Sequence, residues 1–257
     1  MFARSDDGSD IYFEVTGAAE TTLVFVHGWM GNVRWWDAQR DALSTSYRVV
    51  ALDLAGHGRS SQTRTTWSAE AYAADIIAVA RAVSPSRVVL VGHSMSGAYA
   101  VAAGPQIEGL AAVILVDTLK NLDAVPSAEQ LDAMLAGYRA DYRTAVEQQL
   151  PQYLFATRTP PAVAERLTRE FLTVSGDRAA TLLEPLYRFD VRAAARRVRV
   201  PVRGIGTDLH PFDAAANRRY FADYADVTIA GYGHYPMLEA PEAFTAALRE
   251  QLAKLGG

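Results

Sequence analysis

The stretch with the clearest chemical content in this 257-residue chain is Val88-Val89-Leu90-Val91-Gly92-His93-Ser94-Met95-Ser96-Gly97-Ala98. A continuous β-branched run enters a cluster of small residues, and helical periodicity begins at Met95. A serine at such a strand-to-helix turn is held in a strained backbone conformation that only small neighbours permit. The turn lifts its Oγ clear of the sheet, and the next N–H groups stand at a helix N-terminus, where negative charge is stabilised. The pattern is Gly-x-Ser-x-Gly with one departure, Ser96 in the place of the second glycine and Gly97 after it. Serine is small enough for the turn to form. Ser94 is therefore the candidate nucleophile.

A serine hydroxyl needs a base to take its proton, normally a histidine oriented by a carboxylate. Of five histidines, His27, His57 and His93 precede Ser94 in the chain, and His210 and His234 follow it. The order serine, acid, histidine that accompanies such an elbow leaves the last two. His234, in Gly231-Tyr232-Gly233-His234-Tyr235-Pro236 just past the final β-branched run, is the expected base. For the others, loop hydrogen bonding is the simpler role. Two aspartates end apolar runs, Asp117 after Val113–Val116 and Asp208 after Val202–Ile205. Spacing alone does not separate them. Asp208 is preferred because its strand adjoins the His234 loop in sequence; Asp117 would then cap a helix or anchor a neighbouring segment.

Acyl transfer also needs two preorganised backbone donors for the oxyanion. Met95 N–H, next after the nucleophile, is one; the loop His27-Gly28-Trp29-Met30-Gly31 should supply the other from Trp29. Its indole would then wall a pocket, with Gly28, His93, Tyr138 and Tyr235 as further substrate contacts. Tyr142, Tyr153, Phe155, Tyr187 and Phe189 are either pocket walls or local core. At least one of Trp35 and Trp36 should be core.

The elements that must position these groups follow an α/β grammar. Leu23–Val26, Val49–Leu52, Val88–Val91 and Val113–Val116 read as parallel strands buried on both faces, and Ile11–Val15 as an alternating antiparallel one. Val202–Ile205 and Asp226–Ile229 add two more. Helices are expected over Val33–Leu43, Ala69–Val83, Met95–Ala103, Ala214–Tyr224 and Pro241–Leu255, the last ending at Gly256-Gly257. Between Leu122 and Tyr187 no strand is evident. Amphipathic stretches such as Ser127–Gln149 and Ala162–Leu172 suggest a helical lid over the sheet's C-terminal edge, where ligands bind in open α/β folds. The expected division is a core from 1–118 and 191–257, with a helical cap at 119–190.

Composition excludes several classes. There is no cysteine, hence no disulfide framework and no thiolate metal site or nucleophile. A net charge of −4 without a long basic run gives no footprint for nucleic acid. Arg192, Arg196, Arg197 and Arg199 form a basic cluster that reads as a solvated helix face. No apolar run is long enough to span a membrane, and the start lacks the apolar core of a secretory signal. A soluble cytoplasmic protein acting on a small molecule is the expectation.

Taken together, the His27-Gly28-Trp29 loop, the Asp53–Ser60 segment, the Gly92–Gly97 elbow and the Gly-His-x-Pro-x-x-Glu-x-Pro run at Gly233–Pro241 resemble the α/β-hydrolase fold superfamily over nearly the whole chain. The resemblance implies an eight-stranded, mostly parallel sheet flanked by helices, an inserted helical cap, a Ser-acid-His site and no cofactor. Ser94 sets it apart from the related haloalkane dehalogenases and epoxide hydrolases, which carry Asp there. Gly206-Thr207-Asp208 departs from the usual pattern, being shorter than the common Gly-x-x-Asp run. The implied activity is cleavage of a small carboxylic ester, or a lactone or thioester, through an acyl-enzyme. Carbon–carbon bond hydrolysis, a hydroxynitrile-lyase-like reaction, cofactor-free oxygenation and a non-catalytic small-molecule receptor are the alternatives on the same fold.

Overall fold

Runs such as Leu23–Val26 present no polar face to water, so they are stable only when covered on both sides. In the computed structural model, which describes residues 1–124 and 126–255, they form the middle of an eight-stranded sheet. The strands are β1 (Phe2–Arg4), β2 (Asp10–Thr16), β3 (Thr21–Val26), β4 (Arg48–Leu52), β5 (Arg87–His93), β6 (Leu110–Val116), β7 (Val202–Thr207) and β8 (Tyr224–Ile229). Their order is β1-β2-β4-β3-β5-β6-β7-β8. β2 pairs antiparallel with β1 and β4, and every later pairing is parallel. β1 has only three residues, too few to show a period, and was not legible as a separate strand.

Helices pack on both faces. Ala69–Val83 begins at Ser68, whose hydroxyl accepts from Ala71 N–H, and ends at Ser84 in the left-handed region. Both Trp35 and Trp36 are fully buried. Trp36 lies 4.9 Å from Phe25 of β3, so it fills the layer between sheet and helix. Each such side chain contributes roughly 2–3 kcal/mol through removal of apolar surface from water.

Three expected helices are cut differently. Val33–Leu43 opens as a 3₁₀ turn, Val33–Trp36, capped by Asn32, before Asp37–Leu43 continues as α-helix. Ala214–Tyr224 shrinks to Ala214–Asn217, because the chain must turn early enough for Tyr224 to pair with Val202. A short helix Pro236–Glu239 precedes Pro241–Lys254; Ala240, before a proline, is pushed out of helical geometry (φ −143°). Gly256-Gly257, expected to close that last helix, lies outside the described residues.

Between β6 and β7 the described residues contain helices and turns but no strand. Ala128–Ala140 starts with a capping box, Ser127 and Gln130 each accepting from the other's backbone N–H. The expected Ser127–Gln149 helix breaks at Asp141 and resumes as a short α turn at Tyr142–Thr144 that runs into a π turn at Ala145–Gln149. Pro161–Phe171 and Gly176–Arg188 complete the group. They lie against the loop after β3: the Trp29 ring stacks on Tyr138 at 5.6 Å, and its Nε1 donates to the Ala179 carbonyl (2.9 Å). Trp35 Nε1 donates to Glu170 (2.8 Å). Arg192, from the basic cluster, donates to the carbonyls of Leu122 and Asp123, tying the segment's two ends together. No helix among the described residues is long and apolar enough to cross a membrane.

Candidate active site

Strand β5 ends at His93, and Ser94 follows with φ 53° and ψ −123°, a conformation costly for a residue with a Cβ. What holds it there is close packing around the turn. A Cβ on Gly92 would come within 2.5 Å of the Ser96 carbonyl oxygen, so only glycine fits. Ser96, the departure from the usual elbow pattern, donates its hydroxyl to the carbonyl of His27. The substitution thus links the elbow to the loop after β3. Ser94 N–H donates to the Val116 carbonyl (3.0 Å), fixing the elbow beside the end of β6.

The Ser94 hydroxyl lies 2.8 Å from His234 Nε2, and His234 Nδ1 lies 2.7 Å from Oδ2 of Asp117. The expectation that Asp208 orients His234 is corrected here. Asp208 is exposed, and its Oδ1 accepts from Gly231 N–H (2.7 Å) at the entry to the His234 loop. The reason is register. His93 pairs with Val116 and Val116 with Ile205, so Ser94, Asp117 and Gly206 stand level across three strand ends. Asp208 is two residues further out, roughly 6–7 Å beyond that level along an extended chain.

Asp117 has φ 47°, in the left-handed region, and its carboxyl is nearly inaccessible. Oδ1 accepts from Thr207 N–H (2.9 Å) and from Lys120 Nζ (2.6 Å). Burial by itself pushes this carboxyl up. The hydrogen bond and electrostatic attraction of His234, with the Lys120 ammonium, outweigh burial and bring it down to about 2. Asp117 is therefore an anion throughout the neutral range. Gly206 leaves the room this arrangement needs, since a Cβ there would strike the Lys120 ammonium and the Phe212 ring.

The remaining histidines take other parts. His27 donates from Nδ1 to the Gly28 carbonyl and accepts Leu54 N–H at Nε2 (3.1 Å). Burial lowers His27 and His57, and brings His93 down to about 3, so His93 is a neutral ring. Its Nε2–H donates to the backbone carbonyl of His234 (2.8 Å). His210 is exposed and meets the Tyr153 carbonyl.

A cavity of about 560 Å³ opens over Ser94 and His234, within the usual range for small-molecule sites. Trp29, His93, Tyr138 and Tyr235 line it, as expected from the sequence, together with Tyr153 and Tyr187. Gly28 does not; it backs onto the His93 ring, whose Nδ1 would be 2.5 Å from a Cβ at that position. Tyr142, Phe155 and Phe189 also lie outside the lining, Tyr142 packing edge-on to Trp29. Met95 is the first residue of its helix, so its N–H has no acceptor in the preceding turn. Trp29 N–H is not used by any turn or loop backbone bond among the described residues. No group of three or more His, Asp or Glu residues that could hold a metal ion occurs among the described residues.

The sequence profile described as Alpha/beta hydrolase family matches residues 23–247. The chain belongs to the alpha/beta hydrolase family. It is 33% identical over 152 residues to a non-heme chloroperoxidase of Streptomyces lividans, covering 54% of this chain and 55% of that one. With the curated relatives of this kind the chain spans about half of their length or less. It is 28% identical over 247 residues to a 2-(acetamidomethylene)succinate hydrolase of Mesorhizobium japonicum, covering 88% and 86% of the two chains. Among solved structures, a thermophilic esterase from Thermogutta terrifontis superposes with a TM-score of 0.84 at 25% identity, over 100% of this chain and 99% of that one.

In this alpha/beta hydrolase, two residues near the site were absent from the sequence-based set. Lys120 carried a signal in its position three residues after Asp117, but only with Asp117 chosen as the acid. Glu239 was visible in the Gly-His-x-Pro-x-x-Glu-x-Pro run without an assigned role. It is 5% exposed and accepts from the N–H groups on either side of His234, those of Gly233 (2.7 Å) and Tyr235 (2.9 Å). The Thr159 hydroxyl donates to it as well (2.5 Å), and His234 N–H donates to the Leu154 carbonyl (2.7 Å). The His234 loop is thus bonded on one side to its own helix and on the other to the segment inserted after β6.

Proposed function

We propose that this protein is a serine hydrolase that cleaves a small carboxylic ester, or a lactone or thioester of similar size, through an acyl-enzyme. The observation that carries the proposal is the unbroken contact from Ser94 Oγ through both ring nitrogens of His234 to Asp117. Ser94 Oγ attacks the carbonyl carbon as His234 Nε2 takes its proton. The N–H groups of Trp29 and Met95 hold the oxyanion, a task in which one donor is commonly worth about 3 kcal/mol. Collapse expels the alcohol, which receives the proton from His234. Water then attacks the acyl carbonyl with His234 again as base, and Ser94 is released. Asp117 stays ionised throughout, holding the Nδ1–H tautomer that leaves Nε2 free to accept. The helices at 119–190 act as the cap that closes the cavity from solvent.

The test is labelling with a serine-reactive fluorophosphonate, followed by assay on p-nitrophenyl esters. Wild type should label at Ser94 and turn over. Ser94→Ala should do neither; ester turnover persisting in Ser94→Ala would end the proposal.

A further inference from the structure

The cavity over Ser94 has a chemical character distinct from other clefts in the molecule. A cleft near Asn32 is lined by Arg34, Asp37, Arg59, Arg166 and Glu170. By contrast, the lining over Ser94 includes no Asp, Glu, Lys or Arg among the described residues. From the segment after β6 come Met134 and Tyr138, Leu150 and Leu154, and Leu183 and Leu186. Burial pushes the phenols of Tyr138, Tyr187 and Tyr235 up, and His93 is a neutral ring. Lys120, the nearest cation to the triad, is committed to Asp117 and to the face of Phe212 (4.1 Å), outside the lining. A charged group entering this cavity would lose its water without gaining a counter-ion, which is heavily unfavourable.

One position in the wall is open. Gly137 is in the interior of the helix Ala128–Ala140 and lines the cavity, yet a Cβ built on it meets nothing within 4 Å. Glycine in a helix interior is unfavourable by about 1 kcal/mol relative to alanine. No turn, positive φ or close backbone approach requires it here. It is exposed at the rim of the cavity, one turn after Met134, and its missing side chain leaves that edge of the wall open.

We infer that the site selects uncharged esters with an apolar acyl group larger than acetyl, and that the space left by Gly137 sets the upper size of that group. The inference rests on the serine-hydrolase reading. Trp29 links the two, since its N–H is the proposed oxyanion donor and its ring lines the cavity, so the acyl chain begins where the apolar wall does.

The experiment compares p-nitrophenyl hexanoate with two esters of similar length, the p-nitrophenyl monoester of adipic acid and p-nitrophenyl 6-aminohexanoate. The chain ends are respectively methyl, carboxylate and ammonium. Hexanoate should exceed both charged esters in kcat/KM by at least thirtyfold, and a smaller margin against either overturns the charge selection. In Gly137→Leu, the ratio of kcat/KM for hexanoate to that for acetate should fall at least tenfold, with a smaller fall in Gly137→Ala. An unchanged ratio in a Gly137→Leu protein that melts no lower than wild type overturns the role of Gly137. Fluorophosphonate labelling at Ser94 is run alongside. Labelling with no charge discrimination sinks only the selectivity, whereas no labelling sinks the hydrolase reading beneath it.

Discussion

Two neighbouring strands, β6 and β7, each deliver an aspartate to the same edge of the sheet, and the two carboxylates have opposite fates. Asp117 is the first residue beyond β6, turned by a left-handed φ of 47° so that its side chain is enclosed. It accepts from His234, Thr207 and Lys120, and so its charge is fully met in a place where water does not reach. Asp208 follows Thr207, the last residue of β7, continues outward into solvent, and accepts one backbone N–H from Gly231. The same residue type, on adjacent strands, becomes in one case the partner of His234 and in the other a clamp on the loop that carries His234. Depth along the strand separates them. A carboxylate level with Ser94 can reach His234, and one two residues further out cannot.

The largest way to break the comparison is to neutralise each acid in turn. Asp117→Asn should lower kcat/KM by about 10⁴, the scale expected when the orienting carboxylate of a triad is lost and the wrong tautomer is favoured. Asp208→Asn, which keeps an acceptor for Gly231 N–H, should change it less than tenfold. Steady-state kinetics on one p-nitrophenyl ester reads both, and the reverse ranking would return Asp208 to the triad. A second, smaller effect concerns Glu239. Glu239→Leu leaves the buried N–H groups of Gly233 and Tyr235 unpaired, at about 1–3 kcal/mol each. We expect kcat to fall about 10–100-fold with KM nearly unchanged, and Thr159→Val, which removes the link to Glu239 and the acceptor for Ala156 N–H but leaves Gly233 and Tyr235 paired, to do less.

Lys120 sharpens the electrostatic side of the contrast. The Asp117 carboxyl is depressed in the folded protein to about 2, against about 3.9 in an unfolded chain. The stability it contributes is thus complete above about pH 4 and is lost as pH falls toward 2. Lys120→Met removes one of the causes of that depression, so the carboxyl should rise and less stability should remain at neutral pH. Acid unfolding followed by circular dichroism should shift to higher pH in the variant; a midpoint at or below that of wild type would contradict the assignment. The smallest effect belongs to Asp208→Ala. Loss of one exposed hydrogen bond should cost about 0.5–1.5 kcal/mol and lower Tm by a few degrees.

Much of the fold is legible because it depends on local pattern. The continuous runs at Leu23–Val26 and Val88–Val91 have one stable use, as covered strands; the helix Ala69–Val83 begins at its Ser68 cap and ends at left-handed Ser84, and Met95–Ala103 begins straight after the elbow. Two of the misjudged elements take their limits from a distant partner, whereas Ser127–Gln149 breaks locally at Asp141. Ala214–Asn217 stops early because β8 must pair with β7, and β1 exists only through pairing with β2.

The site divides in the same way. Ser94 and His234, 2.8 Å apart in the structure, could be singled out as candidates from the sequence because each is marked by its neighbours: small residues around an elbow, and a glycine loop after the last strand. Oxyanion candidates Trp29 and Met95 follow from the same local signals. The acid has no such mark. Val116-Asp117 and Thr207-Asp208 are both carboxylates at strand ends, and which of them meets His234 depends on how β5, β6 and β7 are offset against one another. That offset comes from the packing of the whole sheet. The uncharged cavity is also a tertiary product, since its walls come from three separate helical segments, two loops and the elbow at the end of β5. Sequence determined which residues could do chemistry, because strain, turns and caps act over a few residues. Tertiary structure decided which carboxylate joined them and what surrounds them, because distance between strand ends is fixed only once the strands are in register.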